Sequence, residues 1–235
     1  MLDIRLVLFQ KRNNKRLNIL VRFVYKSTLN MKKILIIGLI LTSSFSFSQE
    51  KEASEIKMIS DYGSDNSEIR DILQIEGIEY MKLSFIGKEL VDKGFHLSVK
   101  EIWNGEIKSE GTITNSKKIP VDQFQKINDT IFNMKVISKL TNDNKLRMTF
   151  KYPQFSTTRE FEAIKTNDYS LRNVAEAGSI DINYNETFYL LAYILPYEND
   201  GAKYYCAVES SGDNIENLGK EFGIEHYLIF EMKFE

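Results

Sequence analysis

Tyr197-Glu198-Asn199-Asp200 is followed four residues later by Tyr204. Aromatic rings beside carboxylates are the chemistry of sugar recognition: rings stack on sugar faces while charged and hydroxyl groups bond the polar rim. Tyr197, Glu198, Asp200 and Tyr204 are therefore the candidate ligand-binding residues. Tyr189, Tyr193, Tyr205 and Trp103 extend the aromatic set. Tyr and Phe also suit strands through packing alone, so each ring has a structural reading beside the functional one.

Catalytic chemistry has thinner support. The chain holds two histidines, His96 and His226, each in a strand-like run. Either becomes a base or a metal ligand only if the fold joins it to a carboxylate. There is no His-x-His, Cys-x-x-Cys or His-Glu-x-x-His spacing, so no metal site is expected. No Gly-x-Ser-x-Gly turn and no phosphate-cradling glycine loop occur, so no catalytic residue and no cofactor is assigned. Ser210 and Ser211 read as a strand end entering a helix capped by Asp213. Asp61 to Glu68 offers oxygens but lacks the calcium-loop spacing, and reads as a linker. Paired carboxylates, as a glycosidase needs, are too common in this chain to single any out.

What positions these residues begins at Met31. Lys32-Lys33, the apolar run Ile34 to Leu41 and Ser46-Phe47-Ser48 have the order of a signal peptide spanning 31–48, cleaved before Gln49. Its apolar core is shorter than the roughly 20 residues a bilayer span needs, so no stable membrane span is expected after cleavage. Residues 1–30 read as an upstream extension from a mis-assigned start codon, and 49–67 as a flexible tail. The rest, 68–235, is long enough for one domain. The expected location is periplasmic or secreted.

Cleavage also changes the charge. The whole chain has 31 Lys and Arg against 33 Asp and Glu. The first 48 residues carry nine of the bases and one of the acids, leaving 22 bases, 32 acids and a net charge of −10. A field of that sign repels phosphate backbones, so nucleic acid is excluded as a partner. The single cysteine, Cys206, lies in an apolar run and reads as a buried thiol.

Alternation of apolar and polar residues marks strands at 78–86, 94–103 and 106–113. Asn104-Gly105 joins the last two as a tight hairpin, because its turn needs positive φ at both residues. That register places Trp103 opposite Glu106, Ile102 opposite Ile107 and Glu101 opposite Lys108. The apolar set switches from odd positions (95, 97, 99) to even (102), which calls for a bulge near Lys100 or a sheet covered on both sides. Val121, Phe124, Ile127, Ile131 and Met134 recur at helical spacing after Pro120, predicting a helix there. Further strands are expected at 136–140, 145–152, 155–166, 180–184, 187–195, 204–210 and 226–234, with a helical turn at 169–177 and a small helix at 213–222. The run 188–195 is apolar throughout, as in a strand buried on both faces. Turns every eight to twelve residues predict a mainly β fold: an antiparallel sandwich, jelly-roll-like or barrel-like, of about nine strands with one or two short helices.

The Met-Lys-Lys leader ending in Ser-Gln, with an Ile-, Lys- and Asn-rich remainder, resembles exported proteins of unknown function from Bacteroidota. The resemblance covers leader style and composition and transfers no residue role. The expectation is an exported, non-catalytic module binding a glycan or another cell-envelope component. A secreted hydrolase acting on a glycan or other envelope polymer is the alternative.

Overall fold

The structure is a computed structural model that describes residues 56–174, 180, 182–205, 208 and 212–235, with side chains in the last stretch from Asn214 onward. The leader, the upstream extension, Cys206, Ser210 and Ser211 lie outside the described residues.

Strands β1 (Lys57–Tyr62), β2 (Ile78–Ile86), β3 (Phe95–Trp103), β4 (Glu106–Asn115), β5 (Ile131–Leu140), β6 (Lys145–Lys151), β7 (Ser156–Glu162), β8 (Ser170–Asn173), β9 (Thr187–Ile194), β10 (Tyr197–Asn199), β11 (Ala202–Tyr204) and β12 (His226–Phe234) alternate with few helices. Helix α1 covers Ser67–Ile75, and α2, Leu218–Phe222, follows a 3-10 segment at Gly212–Asn217. Among the described residues two five-stranded antiparallel sheets form, ordered β1-β2-β5-β6-β7 and β4-β3-β12-β9-β8, while β10 and β11 pair with each other. The fold is thus the expected antiparallel β-sandwich.

Alternation explains the core. Met81, Leu83 and Phe85 of β2, Phe132, Met134 and Val136 of β5, and Leu146, Met148 and Phe150 of β6 all point inward and are buried. They meet Phe95, Leu97 and Val99 of β3 and Leu228, Phe230, Met232 and Phe234 of β12, also buried. Rings cross the gap directly: Phe85 to Phe234 and Phe150 to Phe230 at 5.1 Å, Phe95 to Phe132 at 4.8 Å. Each such side chain contributes roughly 1.5–3 kcal/mol on burial. Polar contacts tie the two open corners. Thr114 bonds Thr157 at 3.0 Å on one side, and Asn173 bonds Ser60 at 2.7 Å on the other.

The hairpin at Asn104-Gly105 forms as expected, with φ of 50° and 76°. Trp103 pairs with Glu106 and Ile102 with Ile107, but the register then shifts and Glu101 faces Ser109 instead of Lys108. Lys108 is the extra residue of a bulge in β4, and its ammonium sits 4.8 Å over the Trp103 ring. The odd-to-even switch has the other cause: β3 runs unbroken against β12, and its even face is covered. Ile102 is fully buried there, as are Tyr227 and Ile229 of β12. The cover is the segment 212–222, which inserts fully buried Ile215 and Leu218. Tyr227 Oη accepts from the Gly219 amide at 3.0 Å and donates to the Glu216 carbonyl at 2.8 Å. Gly219 has no room for a side chain, since a Cβ would lie 2.5 Å from the Gly105 nitrogen. The covered face also explains the apolar run of β9, where Leu190 to Ile194 are all buried.

Four expectations differ from the structure. The helix after Pro120 is only a 3-10 turn, Asp122–Phe124, followed by β5. Ile131 is 45 % exposed while Phe132, Met134 and Val136 are buried, so period two prevails over the helical spacing once β2 and β6 flank the segment. The helical turn at 169–177 is replaced, where described, by strand β8 pairing with β9. The tail at 49–67 contains edge strand β1, in full register with β2. Among the described residues of 180–184 no strand forms, and Ile182 makes an isolated bridge to Ile56.

Candidate functional site

The four residues picked from sequence lie on the β10–β11 hairpin. Tyr197 stands opposite Tyr204 and their rings stack at 5.7 Å. Tyr197 also packs 4.9 Å from Phe222. Asp200 (φ 51°) and Gly201 (φ 77°) make the turn, and Glu198 and Asp200 are exposed. The hairpin brings the two tyrosines together, one ring face of each turned to the other, and leaves Tyr204 39 % exposed. None of the four lines the large cleft, which lies elsewhere.

That cleft, of about 770 Å³, runs between α1, the start of β2 and the end of β5. Local sequence builds its wall. Asn66 Oδ1 accepts the amides of Glu68 (2.9 Å) and Ile69 (3.2 Å), starting α1, and Gly77 (φ 62°) turns the chain from the helix into β2. The helix thereby presents Arg70, Leu73 and Gln74 to the cleft. Tyr62, Tyr80, Tyr169 and Tyr193 supply rings, and Asn142, Thr166 and Asn167 supply neutral polar groups.

Glu79 sits among these rings. Tyr62 Oη donates to its carboxylate at 2.6 Å, and the Leu171 amide donates at 2.9 Å, fixing β2 to β8. Tyr169 and Tyr193 are both buried and lie 5.5 Å apart, centroid to centroid. Burial raises the pKa of the Tyr193 hydroxyl, and the charge of Glu79 adds to it. Burial likewise pushes Tyr169 up to about 12. Both are neutral phenols at physiological pH. At the rim, Lys139 pairs with Glu76 at 2.8 Å, and Arg70 donates to the carbonyls of Ser64 (2.8 Å) and Asp65 (3.1 Å).

Behind the floor, the Tyr169 hydroxyl lies 2.5 Å from Nδ1 of His226. The same hydroxyl accepts the Ile164 amide at 3.1 Å, which leaves its proton for the imidazole. His226 is fully buried, with the Trp103 ring 4.0 Å away and Glu101 Oε1 3.9 Å from Nε2. Glu101 accepts from Trp103 Nε1 at 2.7 Å and from Ser109 Oγ at 2.9 Å. Tyrosine, histidine and glutamate thus stand in the order of a proton relay. The poise is wrong for one. Desolvation holds His226 down to about 4, only partly countered by Glu101. Moving a proton from a phenol near 12 to an imidazole near 4 is uphill by about 11 kcal/mol. The array is suited to holding Tyr169 in place.

The other histidine is not part of it. His96 pairs opposite Lys233 at the far end of β3 and bonds Thr112 at 3.0 Å. Among the described residues no group of three or more His, Cys, Asp or Glu is placed to hold a metal. Those carboxylates with displaced pKa values (Glu76, Asp143, Glu162, Asp168 and Glu216) all move down, held by a lysine or a hydroxyl. Among the described residues no helix is long and apolar enough to cross a membrane.

Tyr193 belonged to the aromatic set visible in sequence. Gln74, Glu79, Tyr80 and Tyr169 did not stand out, because they come from three separate stretches, α1, β2 and the residue before β8, that only the fold joins. No family model, curated protein or solved structure compared with the chain matches it.

Proposed function

We propose that the chain is an exported, non-catalytic module that binds a glycan or another polyhydroxylated component of the cell envelope. The observation that carries this reading is the cleft itself, with its tyrosine rings, its three carboxamides (Gln74, Asn142 and Asn167) and the carboxylate of Glu79. Rings offer stacking faces, and amides both donate and accept, which matches sugar hydroxyls that do the same. The signal-peptide order at 31–48 supports export.

The hydrolase alternative draws on the Tyr169–His226–Glu101 alignment, but its poise argues against proton transfer. A glycosidase also needs a carboxylic acid that stays protonated near its working pH, whereas Lys139 holds the Glu76 carboxyl below its usual range.

Thermal melts of the purified protein with envelope oligosaccharides test the reading. A ligand at 100 times its dissociation constant stabilises by about 2.7 kcal/mol. The shift is expected to vanish in a Gln74→Ala/Tyr80→Ala variant and to persist in Tyr197→Ala/Tyr204→Ala. Loss in the hairpin variant alone would move the site to β10–β11, and no shift with any sugar would end the glycan reading.

A further inference from the structure

We infer that the cleft selects neutral polyhydroxylated chains over anionic ones, an inference that rests on the glycan-binding reading above. Each charge in its wall already has a partner. Lys139 is paired with Glu76, and Arg70 with two backbone carbonyls. Glu79 accepts from a phenol and a backbone amide, with no cation bonded to it among the described residues. An incoming carboxylate or phosphate therefore finds no vacant counter-ion. To reach Lys139 it must displace Glu76, and it must then sit near the Glu79 carboxylate in a weakly screened site. The remaining polar lining is uncharged and suits hydroxyls: Gln74, Asn142, Thr166 and Asn167. The net charge of −10 calculated for residues 49–235 adds a long-range field of the same sign.

Rim pairs as exposed as Lys139–Glu76 are weak in isolation. The selectivity is accordingly assigned to Glu79, which is half-buried and anchored through one oxygen, Oε2, by the Tyr62 hydroxyl and the Leu171 amide.

The test is a calorimetric panel of neutral oligosaccharides of several linkages, each beside its C6-oxidised uronic counterpart of equal length, on the purified protein. For every linkage that binds, the neutral member is expected to bind at least tenfold tighter. Glu79→Gln keeps an acceptor oxygen but removes the charge. It should narrow the ratio of neutral to oxidised affinity at least threefold, by tightening the oxidised members. Equal or tighter binding of the oxidised member overturns the selectivity and leaves the binding reading standing, and so does a gap that Glu79→Gln does not change. Binding by no member of the panel overturns both.

Discussion

Two short helical segments cover this sandwich, and they do opposite things. The 212–222 segment presses Ile215 and Leu218 into the outer face of the second sheet, both fully buried. Its backbone is clamped by Tyr227, and Glu216 pairs with Lys100 and accepts from Tyr189 Oη at 2.9 Å. Burial alone would lower the pKa of Lys100, yet the Glu216 and Glu231 carboxylates raise it, so the ion stays charged. Helix α1 buries no residue at all. Its Ile69, Ile72 and Ile75 are 46 %, 59 % and 83 % exposed, and its side-chain ties are surface pairs and a cap. A helix that closes a core must insert apolar side chains, whereas one that walls a cleft needs only to be held at its ends. The first belongs to the cooperative unit of the fold, and the second opens at low free-energy cost.

The sharpest way to break the comparison is to truncate one isoleucine or leucine on each helix. Leu218→Ala leaves a cavity under α2 and should cost about 3 kcal/mol, within the usual range for a buried leucine. Ile72→Ala on α1 should change stability by less than about 0.5 kcal/mol. Urea unfolding of both variants reads the difference. Comparable losses would mean that α1 is covered in the working protein.

Acid sharpens the contrast next. His226 has a folded pKa near 4 against an ordinary 6.5, because burial disfavours its charged form. Between those values the unfolded chain binds the extra proton, so stability is full above pH 6.5 and falls as pH drops towards 4. The loss amounts to about 3 kcal/mol across that window. Most of it comes before Glu216 and Asp168 protonate, since both titrate below their ordinary values. In His226→Gln the fall between pH 6.5 and 5 should flatten. Hydrogen exchange should show the amides of α2 following this pH dependence while those of α1 do not.

The core was legible in sequence where one strand faces one solvent and one interior. The β2 bounds were readable for that reason, and the Asn104-Gly105 turn through its need for positive φ at both residues. Legibility failed where two periods coexist: Phe124, Ile127, Ile131 and Met134 fit a helix as well as they fit a turn and a strand. Only the pairing of β5 between β2 and β6 decides. Edge strand β1 was unreadable because solvent leaves four of its six residues exposed, including Ile59 and Tyr62. Tyr197 and Tyr204 meet within one eight-residue hairpin, so local spacing showed that pairing but not the cleft. Glu79 of β2, Tyr169 just before β8 and Tyr193 of β9 converge, and no local pattern encodes that meeting.

Two polar changes complete the comparison at smaller magnitude. Tyr227→Phe removes one hydroxyl that serves the Gly219 amide and the Glu216 carbonyl. Burial leaves those groups without water, so the cost should be about 2 kcal/mol, visible as a lower urea midpoint with an unchanged slope.

Asn66→Ala is the matching change on α1, and its effect should be both smaller and differently distributed. The cap satisfies two amides at the helix start, which is worth about 1 kcal/mol of helix stability. Because α1 inserts nothing into the core, that loss should stay local. Amides of Ile69 to Ile75 should exchange about fivefold faster, while the global unfolding free energy stays within about 0.5 kcal/mol of the parent. If the cap variant instead lowers global stability by its full value, α1 is coupled to the sandwich. The cleft wall would then be a rigid part of the fold, and a ligand would meet a preformed site with no ordering of α1 on binding.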